Sequence, residues 1–175
     1  MNRQPDHGSR ISDLDMIRIG FGFDTHKLEE GRTFILGGVP VEHTKGASGH
    51  SDADVLIHAI IDALLGAAGL PDIGQQFPDT SSEYKGINSS ILLKRTHKLI
   101  SDTGYGIGNI DCTIVLQKPK ISELIPSMIS SLSTTLACSP GCINVKAKTS
   151  EKLGFIGREE GVSAYAVALL VNSDK

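Results

Sequence analysis

The sequence contains no tryptophan, and only five phenylalanines, three tyrosines and three cysteines are spread over its 175 residues. A core with so few rings must be filled by Ile, Leu, Val and Ala. The cysteines (Cys112, Cys138 and Cys142) are too few and odd in number for a secreted disulfide framework, so the chain is expected in a reducing cytoplasm. Cys138 and Cys142 bracket a Ser-Pro-Gly turn, but no second Cys/His pair completes a structural zinc site, and both are read as ordinary thiols. Basic charge is also scarce. With 17 Lys and Arg against 20 Asp and Glu, the formal net charge is −3, which argues against a nucleic-acid partner. No apolar run approaches the ~18 residues of a membrane span. The first fifteen residues, MNRQPDHGSRISDLD, have no apolar stretch of the signal-peptide kind. They are read as a disordered extension or a remnant of expression, with Met16 an alternative start and 16–175 a single domain. A chain of this length buries roughly 70% of its unfolded surface, enough for a core without covalent staples.

Glycine and histidine are what the chain has in quantity. There are 19 Gly, and four of the six His (His26, His43, His50 and His58) fall between residues 24 and 62. IRIGFGFD (17–24) alternates as a strand, and RTFILGG with VPVEH (32–43) reads as a hairpin around Gly37 and Gly38. Apolar residues at 55, 56, 59, 60, 63 and 64 form a helical stripe over 54–70. Ser51 followed by Asp54 resembles a capping box at its start, and Gly69 before Pro71 ends it. Residues 89–102 and 122–138 read as two further helices, and 108–117, 143–148 and 162–171 as strands. The pattern predicts an α/β (α+β) fold: a mixed sheet with helices on one face, the other face packing against further subunits.

Two constellations carry chemistry. Asp24 and His26 stand two apart at the end of a strand, where their side chains share a face. His58 lies on the first helix, which can pack on that strand. One carboxylate and two imidazoles leave a fourth position open, as a catalytic zinc requires. Asp62, one turn beyond His58, either orients it or meets substrate. Spacing alone favours a solvated helix face with a satisfied core histidine, since D-x-H is a weak pattern. The second constellation binds anions. His50 and Ser51 precede the same helix, whose N-terminus attracts phosphate, although Ser51 could simply be a cap. KAKTSEKLGFIGRE (146–159) gathers Lys146, Lys148, Thr149, Glu151, Lys152 and Arg158 at a strand-to-turn junction. Lys and Thr can hold phosphate oxygens, and Glu can help ligate a hard cation such as Mg²⁺; a charged solvent-facing turn is the plain alternative. The connection LQKPKIS (116–122) either reads a planar base edge through its backbone or only joins two elements.

In this order and spacing, RIGFGFDTH, ILGGVPV, GHSDADVLIHAIIDALLGAAGLPDIGQQFPDT, GNIDCTIVLQKPKIS and VKAKTSEKLGFIGREEG resemble the 2-C-methyl-D-erythritol 2,4-cyclodiphosphate synthase family over nearly the whole chain from Ile17. The resemblance implies a zinc ion held by Asp24, His26 and His58, with His50 and Thr149 stabilising the transition state and Ser51 binding phosphate. It implies that Glu151 ligates Mg²⁺ or Mn²⁺ between the two phosphates. Asp72, Ile73 and Gly74, with Phe77, Pro78, Asp79, Thr80 and Ser81, would hold the ribose and methylerythritol parts. Asp62 and Lys148 to Ser150 would add substrate contacts. Leu116, Gln117, Lys118, Pro119, Lys120, Ile121 and Ser122 would take cytosine from the neighbouring subunit of a homotrimer. Phe23, Phe155 and Arg158 would line a cavity on the trimer axis open to isoprenoid diphosphates. Departures are few: Phe21 stands where many relatives have His, and Lys148 and Ser150 replace the commoner Thr residues.

The activity so implied is phosphorus–oxygen lyase chemistry in the non-mevalonate isoprenoid pathway. The 2-phosphate of 4-diphosphocytidyl-2-C-methyl-D-erythritol 2-phosphate attacks its own β-phosphorus and CMP leaves. Positioning and charge neutralisation would carry the catalysis, with zinc as Lewis acid and template. Two rivals share the same residues: a small zinc hydrolase that activates water, and a trimeric metal- or phosphate-binding regulator without turnover.

Overall fold

The computed structural model describes residues 17–49, 51–78, 80–81, 83–84 and 86–173, so the expected N-terminal extension lies outside the described residues. A five-stranded sheet has the order β4-β1-β7-β5-β6, built from β1 (Ile17–Glu30), β4 (Lys45–Ser48), β5 (Tyr105–Val115), β6 (Ile143–Lys148) and β7 (Gly161–Asn172). Only β5 and β6 run parallel; the other neighbours are antiparallel, so the sheet is mixed as the sequence predicts. β2 (Ile35–Leu36) and β3 (Val39–Pro40) make the small separate hairpin at Gly37 and Gly38. Strand β1 continues six residues past the predicted end, and β4, not anticipated, pairs with that extension.

The helices are α1 (Val55–Ala68), the short α2 (Ile73–Gln76), α3 (Ser89–Asp102), α4 (Ile125–Thr135) and the short α5 (Gly154–Gly157). α4 is shorter than 122–138: its entry is a 3-10 turn at Ser122–Leu124, and it ends at Leu136 before Ala137 takes a positive φ. Among the described residues no helix is long and apolar enough to cross a membrane.

α1 is the centre of the core. Ten of its residues are buried, nearly all round, because it lies between the sheet and α3. Its approach to β1 is backbone on backbone: a Cβ added at Gly20 or Gly22 would stand 1.9 Å from the carbonyl oxygen of Ala63 or Ala59. The glycines alternate with Phe21 and Phe23, which the pleat turns to the opposite face. Among the described residues nothing covers that face. Ile17, Ile19, Phe21 and Phe23 of β1 and Tyr165, Val167 and Val171 of β7 are 37–70% exposed there.

Candidate metal centre and substrate cavities

The β1–β7 register pairs Asp24 with Ala164 and His26 with Val162, both buried, so these two side chains point toward the helix layer. His58 meets them from the first turn of α1. Asp24 Oδ2 lies 3.0 Å from His26 Nε2 and 2.9 Å from His58 Nδ1, and the two ring nitrogens are 3.1 Å apart. Among the described residues this is the cluster of His, Cys, Asp and Glu side chains that could hold a metal ion. Its chemistry fits one. A carboxylate oxygen and two imidazole nitrogens, turned on one another at such spacing, need a shared proton or cation between them. Ligands at the ~2.0–2.2 Å bonds of tetrahedral zinc stand little farther apart than this, about 3.3 Å.

The charges agree. Burial alone would raise the Asp24 carboxyl, but hydrogen bonds and charge from His26 and His58 outweigh it and hold the group well below the usual carboxylate range. Burial pulls His58 down, yet the Asp24 carboxylate wins and lifts it above the ordinary histidine value. The second nitrogen of His58 does not meet Asp62. His58 Nε2 faces Ser89 Oγ at 3.0 Å and Ser51 Oγ at 3.1 Å, while Asp62 Oδ1 accepts the Ile73 N–H at 2.9 Å and fixes the start of α2.

The start of α1 also differs from expectation. Asp54, not Ser51, is its N-cap. Asp54 Oδ1 accepts from Ile57 N and Gly37 N, and Oδ2 from Gly38 N, binding the helix to the hairpin turn. Burial pushes this carboxyl up to about 6 against the pull of those three donors. The helix N-terminus is therefore filled by the chain's own carboxylate and is no open anion seat. Ser51 reaches the site instead through its hydroxyl, from a loop three residues upstream. His50 and Asp79 lie outside the described residues.

Two cavities divide the remaining predicted residues. One, about 270 Å³, is lined by His26, Ser51 and His58 together with Ile73, Gly74, Phe77, Tyr84, Ile87 and Leu92. Asp72 caps α2, which carries the lining residues Ile73 and Gly74; Pro78, Thr80 and Ser81 are not among the lining residues. The other, about 190 Å³, is lined by Leu116, Gln117, Pro119, Lys120, Ile121 and Ser122 with Ala147, Lys148 and Thr149. Beside it the Thr149 hydroxyl donates to Glu151, the Ser150 hydroxyl to Leu153 O at 2.8 Å, and the Lys152 N–H to Gln117 Oε1 at 3.1 Å. Lys118 turns away to pair with Glu159 at 2.9 Å. Asp24, Ala164, Ile114 and Ala147 form one row across β1, β7, β5 and β6. Asp24, in the metal centre, and Ala147, in the wall of the second cavity, thus lie at the same end of the sheet, three strand spacings or about 14 Å apart. One chain does not bring them together. Phe155 lines a third cavity with Thr25, His26, Lys27, Glu160 and Gly161, and Arg158 forks onto Glu160 at 2.9 Å through two nitrogens.

The sequence reading missed Asp52, Ser89, Tyr84, Ile87 and Leu92. Ser89 was legible only as the first residue of a helix, because nothing in a linear pattern brings it to His58, 31 positions earlier.

The sequence model described as the YgbB family matches residues 17–171. The chain is 58% identical over 154 residues to the 2-C-methyl-D-erythritol 2,4-cyclodiphosphate synthase of Bacteroides fragilis, covering 88% of this chain and 97% of that one. Among solved structures, the bifunctional IspDF from Campylobacter jejuni superposes with a TM-score of 0.86 at 44% identity, over 89% of this chain, which spans 42% of that protein. A CDP complex of Plasmodium falciparum IspF gives a TM-score of 0.80 at 40% identity, covering 91% of this chain and 98% of the other.

Proposed function

Because the chain belongs to the YgbB family, we propose that it converts 4-diphosphocytidyl-2-C-methyl-D-erythritol 2-phosphate to 2-C-methyl-D-erythritol 2,4-cyclodiphosphate and CMP. The observation that carries the reading is the convergence of Asp24, His26 and His58 on one point, beside a cavity walled by Ile73, Gly74 and Phe77. These three side chains would hold zinc, which when bound supplies a Lewis acid and a template for the diphosphate. Ser51, His50, Lys148 and Thr149 would bind and neutralise phosphate oxygens on a chain of net charge −3. Glu151, with the Thr149 hydroxyl already donating to it, offers an oxygen ligand to Mg²⁺ or Mn²⁺. Ile73, Gly74 and Phe77 would hold the sugar parts and keep water from the reacting phosphorus, with Asp62 and Asp72 fixing their short helix.

The cavity at 116–122 would take cytosine. Its separation from the metal centre supports a site completed by a neighbouring subunit, and the uncovered apolar face of β1 and β7 supports a homotrimer packed on it. Phe23, Phe155 and Arg158 would then surround a central cavity suited to an isoprenoid diphosphate. Sparse free thiols suit a cytoplasmic setting. Phosphorus NMR of the substrate with purified protein tests the reading: a cyclic diphosphate with stoichiometric CMP is expected. A linear hydrolysed product would convert the protein into a zinc hydrolase, and binding without CMP release into a regulator.

A further inference from the structure

Ser89 is fully buried and does not line the metal-side cavity, yet its hydroxyl stands 3.0 Å from His58 Nε2. Its other partner is Asp52, which grips it twice: the Ser89 N–H donates to Asp52 Oδ2 at 3.0 Å and the Ser89 hydroxyl donates to Asp52 Oδ1. A carboxylate can only accept, and a serine hydroxyl has one hydrogen to give. With that hydrogen committed to Asp52, Ser89 Oγ offers only lone pairs to the imidazole. His58 Nε2 must therefore carry a ring hydrogen, and in the neutral imidazole that leaves the lone pair on Nδ1, the atom turned toward Asp24 and His26.

We propose that Asp52 and Ser89 are positioning residues that set the tautomer and orientation of His58 for metal binding. The inference rests on the reading of Asp24, His26 and His58 as metal ligands. Ser51 cannot replace the pair. Its hydroxyl is 3.1 Å from the same nitrogen and 3.3 Å from Ser89 Oγ, but among the described residues no carboxylate claims its hydrogen, so it can either donate or accept. The chain also holds the pair firmly: Asp52 N–H donates to Ile87 O at 3.2 Å, and Ser89 opens α3 just after its N-cap, Asn88.

The substitutions differ in degree. Ser89→Ala removes the acceptor and leaves Nε2 to Ser51. Asp52→Asn, nearly isosteric, does more harm. Its carbonyl must face the fixed Ser89 N–H, so its NH₂ group turns to Ser89 Oγ and releases the hydroxyl hydrogen toward His58 Nε2. That favours the tautomer with hydrogen on Nδ1, where the metal binds. Loss of such an outer partner typically weakens metal affinity about 10- to 100-fold.

The test has two readouts on the full-length protein, with melting temperature as a folding control. Long-range ¹H–¹⁵N NMR of metal-free, histidine-labelled protein at alkaline pH reports which nitrogen of His58 carries the hydrogen. Chelator competition reports zinc affinity. Wild type should show hydrogen on Nε2; Ser89→Ala should give a mixture, and Asp52→Asn a shift to Nδ1. Zinc affinity should fall about 10- to 100-fold, more in Asp52→Asn. If Ser89→Ala does not fold, Asp52→Asn alone decides. Unchanged tautomer and affinity in Asp52→Asn, while His58→Ala loses zinc, would overturn the proposal and spare the ligand set. Wild-type zinc affinity in His58→Ala would instead overturn the ligand set itself.

Discussion

Strand β1 turns Gly20 and Gly22 to one side of the sheet and Phe21 and Phe23 to the other; β7 does the same with Ala164, Ala166 and Ala168 against Tyr165 and Val167. On the covered side the small residues let α1 lie on the strands nearly in backbone contact. On the other side the large residues stack across strands, with Phe23 and Tyr165 ring centroids 5.0 Å apart, and among the described residues no helix covers them. Both sides are apolar, but only one is finished within the described residues. The lesson extends to chemistry: Asp24, His26 and His58 face the finished side, whereas the two halves of the proposed site, about 14 Å apart in one chain, would on that proposal meet through a neighbour.

The difference can be broken from either side. Gly22→Val should have the largest effect, because its Cβ would enter the Ala59 carbonyl and neither backbone can yield; a loss of roughly 3 kcal/mol or more is expected, measured by urea unfolding. Wild-type stability in that variant would mean that α1 does not press on β1. Next is Phe21→Asp on the other face. Phe21 is 64% exposed, so the isolated fold should change by less than about 1 kcal/mol, while light scattering should show the assembly falling to monomers and turnover disappearing with it. A variant that stays trimeric would remove the uncovered face from the interface. Glu151→Gln is milder. It should raise the Mg²⁺ concentration needed for CMP release and leave zinc content alone; an unchanged metal titration excludes it as a ligand.

The smallest effect concerns Asp54, the most deeply buried carboxyl on the covered side. Its folded pKa of about 6 lies above the ~3.9 of an unfolded Asp. The folded chain therefore holds that proton more tightly, so the group's stabilising contribution is complete below about pH 4 and is lost as pH rises through about 6. Relative to Asp54→Asn, wild type should gain unfolding free energy as pH falls from about 7 to about 4. A flat difference would mean that the three backbone donors cancel burial.

How much of this was legible in the sequence depended on whether the signal was local. Period-two alternation placed β1, β6 and β7, and the apolar stripe placed α1, because each pattern records the burial of its own element. The same alternation hid the tail of β1, where THKLEE mixes charge with one buried Leu28 and pairs with a strand too short to show a period. Asp24, His26 and His58 came together because strand and helix periodicity each fix a face. Ser89 and Asp52 did not, because their roles arise from tertiary contacts between a loop and a helix start that no spacing encodes. At the helix start the pattern offers Ser51 as the cap and Asp54 as its capping-box partner, whereas Asp54 is itself the cap. Both residue types cap helices, and only the contact with Gly37 and Gly38 decides between them.

The central claim, that one catalytic site is assembled from halves on neighbouring subunits, is tested most directly by mixed trimers. His58→Ala damages the metal half and Thr149→Ala the nucleotide half, and each homotrimer should be nearly inactive. Co-expressed in equal amounts, the two chains should regain about a quarter of wild-type turnover if each site draws one half from each of two adjacent subunits in a closed ring. Activity no higher than that of the separate variants would place both halves in one chain and contradict the account.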